Sequence, residues 1–212
     1  MPARSIILVV ALLLGTATSL HAQYFGRNKV QYRALDFEVI QTEHFDVYFY
    51  EEEREAALDA ARMAERSYAR LSRVLQHEFR ERKPIVLYAS HTDFQQTNTL
   101  YGFIDEGTGG VTESLKRRIV MPFTGSYAEF EHVFTHEMVH AFQYDVLFRN
   151  RLQDVSLVGF RPHLWFMEGM AEYLSVGRID ANTDAWLRDA VLAGYMRSIG
   201  SPVRPSASHR SW

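Results

Sequence analysis

The chain has no cysteine among its 212 residues. This absence excludes disulfide bonds, a lipid anchor attached to a cysteine, and thiolate ligands for a metal ion. The formal net charge is −3, so the composition gives no indication of nucleic-acid binding or of attraction to an anionic membrane. Any metal held by this chain must therefore use histidine and carboxylate ligands.

Long hydrophobic runs are also scarce. The apolar run at residues 6–14 follows Arg4 and leads to a small residue at Ala22. This order is typical of a secretory signal peptide, and the run is too short to cross a bilayer. We therefore expect residues 1–22 to be a signal peptide and the protein to be exported, to the periplasm or the extracellular space, without stable membrane insertion after cleavage. The alternative is a retained N-terminal anchor.

The rest of the chain has the composition of a globular protein. Hydrophobic residues make up 47% of the sequence and aromatic residues 13%. Residues 23–198 are enough for one domain with a substantial core or for two small subdomains around a cleft. Residues 199–212 show no periodicity, which predicts a disordered tail. Because the helical pattern stops there, we expect the domain to be truncated at its C-terminal side, in a fragment of a longer protein.

Hydrophobic periodicity predicts an α+β fold, in which a β-sheet with a long helix is followed by a helical half. The sheet is built from short alternating or compact apolar segments, and the helices show apolar residues at helical spacing. The predicted elements, in chain order, are two strands within 37–50, a helix at 51–79, a strand at 84–89, strands at 111–113 and 118–123, and helices at 126–145, at 162–177 and from Asn182 or Thr183 onward.

The sequence HEMVH occupies positions 136–140 of the first helix in the helical half. Positions i and i+4 of a helix lie on the same face, so His136 and His140 can offer two imidazole nitrogens to one metal ion. Glu137 lies one residue round the helix, beside the open position of such a metal, where a general base is needed. The alternative is two surface histidines that are spaced by four residues by chance.

The sequence WFMEGMAEY occupies positions 165–173 of the next helix. Glu168 and Glu172 share one face of this largely apolar helix, and burial of two unpaired carboxylates would cost free energy. A metal ion for Glu168 and the free N–H of a ligand histidine for Glu172 would satisfy both groups. The alternative is an amphipathic helix whose acids are solvated.

HEMVH followed by WFMEGMAEY resembles the gluzincin group of zinc peptidases. More narrowly, the chain resembles the peptidase-like module of bacterial envelope proteins, which often precedes a Tol-type β-propeller. The resemblance implies a zincin-like fold, with a mixed β-sheet and a long helix ahead of the two ligand helices. It implies one Zn²⁺ held by His136, His140 and Glu168, with Glu137 as the general base and Glu172 as an outer acceptor for a ligand histidine.

The resemblance implies zinc-dependent hydrolysis of peptide bonds in a peptide or protein substrate, and the chemistry of the site itself would serve other amides equally well. No motif that grips a free amino terminus is found, which favours an endopeptidase. One of the strands near residues 111–112 or 118–121 is expected to form the sheet edge above the metal, where an extended substrate pairs. Two alternatives remain: a non-catalytic, zinc-stabilised docking module of an envelope assembly, and a domain without metal.

Two further residues are considered near the predicted site. His132 lies one turn before His136, where it is expected to be a surface or outer residue or, alternatively, a substrate contact. The sequence does not assign a residue to stabilise the oxyanion; Tyr195 is the residue considered for this role. In a longer form of the protein, a β-propeller domain is the expected neighbour.

Overall fold

A computed structural model of the chain describes residues 29–100, 102–153 and 162–196. Within these ranges the chain forms a mixed five-stranded β-sheet and five α-helices. This confirms the predicted α+β class, whereas the zincin-like assignment stays a prediction. The predicted signal peptide at 1–22 and the predicted tail at 199–212 lie outside the described residues.

The sheet begins with an antiparallel hairpin, as the sequence predicts. Strand β1 (Glu38–Gln41) pairs with strand β2 (Phe45–Phe49) in a register that places Ile40 opposite Val47. Alternate residues of β2 are buried, whereas β1 is mostly exposed. The hydrophobic alternation predicted from the sequence therefore reflects side chains of β2 that point in turn toward the core and toward the other face of the sheet.

Helix α1 (Arg54–Leu75) follows a 3₁₀ turn at Glu51–Glu53. Its small and apolar side chains pack against the sheet, which explains the alanine-rich stripe of the sequence. The predicted end at Phe79 is wrong. Gln76 has a φ of 48°, in the left-handed region, and this conformation ends the helix after Leu75.

Strands β3 (Lys83–Tyr88) and β5 (Arg118–Pro122) form the parallel centre of the sheet. The strand order is β1-β2-β3-β5-β4, in which β4 (Val111–Glu113) lies at the edge, antiparallel to β5. Of the two strands considered for this edge, β4 occupies it and β5 is an inner strand. A short helix α2 (His91–Gln95), capped by Ser90, was not predicted.

Helix α3 (Tyr127–Gln153) carries the HEMVH sequence and extends beyond its predicted end at Asp145. Helix α4 (Leu164–Val176) carries the WFMEGMAEY sequence. It ends at Gly177, whose φ of 91° lies in the region that glycine tolerates, as the sequence predicts.

Helix α5 (Ala181–Leu192) begins earlier than predicted. Its N-cap is Asp180, whose carboxylate accepts a hydrogen bond of 2.7 Å from the backbone N–H of Thr183. The prediction of Asn182 or Thr183 as the cap is therefore wrong. A carboxylate at this position satisfies a free N–H group of the first turn and also favours the positive end of the helix dipole.

The main core lies between the sheet and helices α1 and α3. The apolar face of α3 is completely buried there; it includes Phe130, Phe134, Met138 and Phe142. By contrast, α4 buries only Met167 and Ala171, and α5 buries none of its residues. Among the described residues, no helix is both long enough and apolar enough to cross a bilayer.

Candidate metal centre

Helix α3 presents His136 and His140 on the side that faces α4. The two Nε2 atoms lie 3.1 Å apart, as expected for residues one helical turn apart on one face. His140 is 7% exposed, and its ring contacts the buried side chain of Gln143. The helix therefore holds two potential ligand nitrogens close together on a well-packed element.

Glu168 of α4 completes a triangle with the two histidines. Its Oε2 atom lies 3.2 Å from Nε2 of His136 and 3.3 Å from Nε2 of His140. A tetrahedral zinc ion with nitrogen and oxygen ligands at about 2.0–2.1 Å holds those ligands about 3.3–3.4 Å apart. The three atoms thus have the spacing that one zinc ion requires, and the donor set fits zinc.

Gln143 determines which nitrogen of His140 faces the triangle. Its Nε2 group donates a 2.9 Å hydrogen bond to the backbone oxygen of Met167, which can only accept. The Oε1 atom of Gln143 therefore faces Nδ1 of His140, at 2.8 Å, and Nδ1 must carry the proton. In a neutral imidazole, Nε2 of His140 is then the nitrogen without a proton, which is the form that a metal ligand takes.

Glu172 has the corresponding position beside His136. Its Oε2 atom lies 3.2 Å from Nδ1 of His136, which leaves Nε2 of that ring for the triangle. The structure thus brings Glu172 to the N–H side of a predicted ligand histidine. Glu172 and Gln143 differ in origin, because Glu172 comes from α4 and Gln143 from α3 itself.

His132 contacts the same carboxylate oxygen. Its Nε2 atom lies 3.2 Å from Oε2 of Glu172, and its side chain is 38% exposed. His132, His136 and Glu172 form a second group of close potential ligands, but there His136 contributes Nδ1, the nitrogen that donates to Glu172. We therefore place His132 outside the triangle, which it contacts only through Glu172.

Glu137 lies on the sheet side of the triangle, 8% exposed. The hydroxyl of Thr112, in edge strand β4, lies 2.6 Å from Oε2 of Glu137 and 2.8 Å from its backbone oxygen. The carboxylate predicted as the general base is therefore held by the strand predicted to bind an extended substrate.

Tyr144 lies one helical turn after His140, and the two rings stack with centroids 6.1 Å apart. Burial raises the pKa of its hydroxyl, and the carboxylates of Glu137 and Glu168 raise that pKa further. The weak sequence candidate, Tyr195, is 77% exposed. A tyrosine thus lies beside the triangle on α3, at a position that the sequence analysis did not consider.

Three residues of this site had no predicted role: Gln143, Tyr144 and Thr112, although residues 111–112 were considered for the sheet edge above the metal. Gln143 and Tyr144 lie three and four positions after His140, so helical spacing alone places them on the same face and could have identified them. Thr112 lies 25 positions before Glu137, and no local pattern connects the two. Only the packing of β4 against α3 brings them together.

Comparison of the chain with protein-family models, with curated proteins and with solved structures found no significant match. The function is therefore inferred from the geometry of this site and from the residues that form it.

Proposed function

We propose that this protein is a zinc-dependent hydrolase of peptide bonds with a zincin-like fold, similar to the gluzincins. The observation that carries the proposal is the triangle formed by Nε2 of His136, Nε2 of His140 and Oε2 of Glu168, with sides of 3.1–3.3 Å. Three protein ligands are typical of catalytic zinc sites, which keep one coordination position open.

His136, His140 and Glu168 would hold one Zn²⁺. When bound, the ion would act as a Lewis acid: it would polarise the substrate carbonyl and lower the pKa of a bound water molecule toward neutral pH. Gln143 and Glu172 accept the Nδ1 protons of the two histidines and keep both rings oriented toward the ion.

Glu137 is the proposed general base. Since its Oε2 atom is held by Thr112, Oε1 is the oxygen left to take a proton from the attacking water. As that proton leaves, the water oxygen bonds to the carbonyl carbon. The same carboxyl group then gives the proton to the leaving nitrogen as the C–N bond breaks, which yields a carboxylic acid and an amine. A buried position beside the ligands suits this role, because partial exclusion of bulk water strengthens the interactions of a carboxylate.

Edge strand β4 is the proposed binding surface for the substrate backbone. In the described part of the sheet, β4 pairs with β5 on one side only, so its other side offers backbone groups to an extended peptide. Main-chain pairing along an open edge does not require a substrate terminus. This supports endopeptidase action on a peptide or protein in the compartment to which the chain is exported.

A second candidate function is a non-catalytic, zinc-stabilised docking module of an envelope assembly, next to a β-propeller domain in a longer protein. The observation that favours it is the exposure of α4 and α5, where the side chain of Glu168 is 48% exposed. A site that is open on this side could hold a metal without enclosing a substrate. Glu137 has no role in such a module.

The test is cleavage of a mixed-length peptide library by the zinc-loaded protein, with Glu137→Gln as the matched control. We expect cleavage by the wild-type protein, detected by mass spectrometry, and a decrease of about 10²–10⁴-fold in the variant. Equal zinc affinity of the two proteins shows that the variant lost only the base. Zinc binding without Glu137-dependent cleavage would contradict the enzyme and support the docking module.

A further inference from the structure

Thr112 makes an unusual double contact with the proposed general base. Its hydroxyl lies within hydrogen-bond distance of two acceptors of one residue, Oε2 and the backbone oxygen of Glu137, at 2.6 and 2.8 Å. Thr112 is 9% exposed, so water does not easily replace this contact. Among the described residues, Thr112 is the hydrogen-bond donor to the carboxylate of Glu137.

The segment before Thr112 is shaped to approach Glu137 closely. A Cβ atom on Gly110 would lie 3.1 Å from Cγ of Glu137 and 3.2 Å from Cβ of Met121, and a Cβ on Gly109 would lie 3.2 Å from Cγ1 of Val133. These distances are shorter than ordinary contacts between carbon atoms. The two glycines therefore allow β4 to lie directly against the turn of α3 that carries the general base.

We propose that Thr112 is a positioning residue for Glu137, which joins the base to the strand that binds the substrate. This inference rests on the proposed function. A glutamate side chain has three rotatable bonds, and the Thr112 hydroxyl restricts it to the rotamer that leaves Oε1 for the reaction. Because the hydroxyl belongs to β4, the position of the base is coupled to the strand on which a substrate peptide would pair.

This arrangement predicts a specific kinetic effect. The Thr112 hydroxyl touches no atom of the ligand triangle, so its loss should leave zinc affinity unchanged. The substrate backbone pairs with the main chain of β4, so its affinity should also change little. The loss should therefore appear in kcat, because a base held in the wrong rotamer affects the transition state more than the bound substrate.

The experiment compares Thr112→Val, which keeps the shape and removes the hydroxyl, with Thr112→Ser, which keeps the hydroxyl. We expect Thr112→Val to lower kcat by about 10- to 100-fold, the value of one hydrogen bond to a charged group, with little change in KM. Thr112→Ser should restore most of kcat. Zinc affinity, measured by competition with a chelator, should be equal in all three proteins.

Thr97→Val is the matched control. Thr97 is a buried threonine whose hydroxyl contacts Tyr88 and Thr99, away from the triangle. Its loss should affect stability but not kcat. If Thr112→Val does not fold, Thr112→Ala beside Thr112→Ser provides the same comparison.

Three results would overturn the inference. The first is wild-type kcat in Thr112→Val while Glu137→Gln is inactive, which rejects the role of Thr112 and leaves the proposed function intact. The second is an equal loss of zinc affinity and kcat in Thr112→Val, which would make the hydroxyl a support of the metal site. The third is a wild-type protein without Glu137-dependent cleavage, which rejects the proposed function and this inference together.

Discussion

Two regions of this molecule contribute to the same candidate site but differ in how they are packed. The sheet half, which consists of β1–β5 with α1 and α3, provides His136, Glu137 and His140 from a helix with a completely buried apolar face. The helical pair consists of α4 and α5. Helix α4 provides both Glu168 and Glu172, and Met167 and Ala171 are the only buried residues of the two helices.

The difference indicates which part of the site is preformed. The sheet half holds its histidines and the general base through side chains in the core. Helix α4 packs along α3 but buries only Met167 and Ala171, so most of its other side chains stay partly or fully exposed. A metal ion bound by both regions would therefore stabilise the helical pair more than the sheet half, because binding energy at such a site is also folding energy.

The largest expected effect is a loss of stability, and two phenylalanine substitutions test it. Phe134 of α3 is completely buried and Phe166 of α4 is 50% exposed. We expect Phe134→Ala to lower the free energy of unfolding by about 3–5 kcal/mol, as for large cavities in cores, and Phe166→Ala to lower it by about 1 kcal/mol. Urea unfolding of the two variants measures both. Equal losses would show that the helical pair is as well packed as the sheet half.

The second prediction concerns the two kinds of ligand. The side chain of His140 is 9% exposed and that of Glu168 is 48% exposed. Loss of a residue that only supports a ligand typically weakens metal binding by about 10–100-fold, and we expect His140→Ala to weaken zinc binding by more than this. We expect Glu168→Ala to have a smaller effect than His140→Ala, because water can reach the exposed position of Glu168 and replace its carboxylate. Chelator competition measures both affinities. His163→Ala, an exposed histidine outside the triangle, is the control and should bind zinc normally.

The third prediction concerns the contact that joins the two regions. Gln143→Leu removes the acceptor for Nδ1 of His140 and leaves the backbone oxygen of Met167 without its donor. We expect zinc affinity to fall by about 10–100-fold. The matched control is Gln95→Leu, whose amide also donates to a backbone oxygen but lies outside the site. An unchanged zinc affinity in Gln143→Leu would show that the hydrogen bond between Gln143 and His140 does not contribute to metal binding.

The fourth prediction is a pH dependence of stability that belongs to the sheet half alone. Burial raises the pKa of Glu53 to about 7, from an ordinary value of 4.5. The folded state therefore binds this proton more tightly than the unfolded state does. The resulting stability is fully present below pH 4.5 and is lost as the pH rises to about 7.

Glu53→Gln should remove this part of the pH dependence. The measurement is the free energy of unfolding by urea at several pH values between 4 and 8, for the wild type and the variant. The variant should lose less stability than the wild type over this interval. Parallel curves would show that Glu53 ionises with an ordinary pKa in the folded protein.

Much of the sheet half could be predicted from local patterns. The hairpin of β1 and β2 and the stripe of α1 follow from alternation or helical spacing. Strand β4 was predicted as a strand, but the sequence left the sheet edge open between β4 and β5. Errors occur at ends, where single residues decide. The left-handed Gln76 ends α1 earlier than its pattern does, and Asp180 caps α5 before the predicted residues.

The candidate site could be predicted where one helix contains the whole pattern. His136 and His140 lie one turn apart, and the structure brings Glu168 within 3.2 and 3.3 Å of them, as the combined sequences HEMVH and WFMEGMAEY lead one to expect. Gln143 could have been found by the same spacing rule. Thr112 could not, because its contact depends on how closely β4 packs against α3.

The amino-acid sequence by itself determined the ligand types, since a chain without cysteine offers a metal only histidine and carboxylate groups. It also determined the i, i+4 pairing of the histidines, because helix geometry is local. Only the tertiary structure decided that Gln143 orients His140 and that Thr112 holds Glu137. Such contacts join residues on separate elements or depend on the packing of another helix, and their distances follow from the packing of the core rather than from any repeat along the chain.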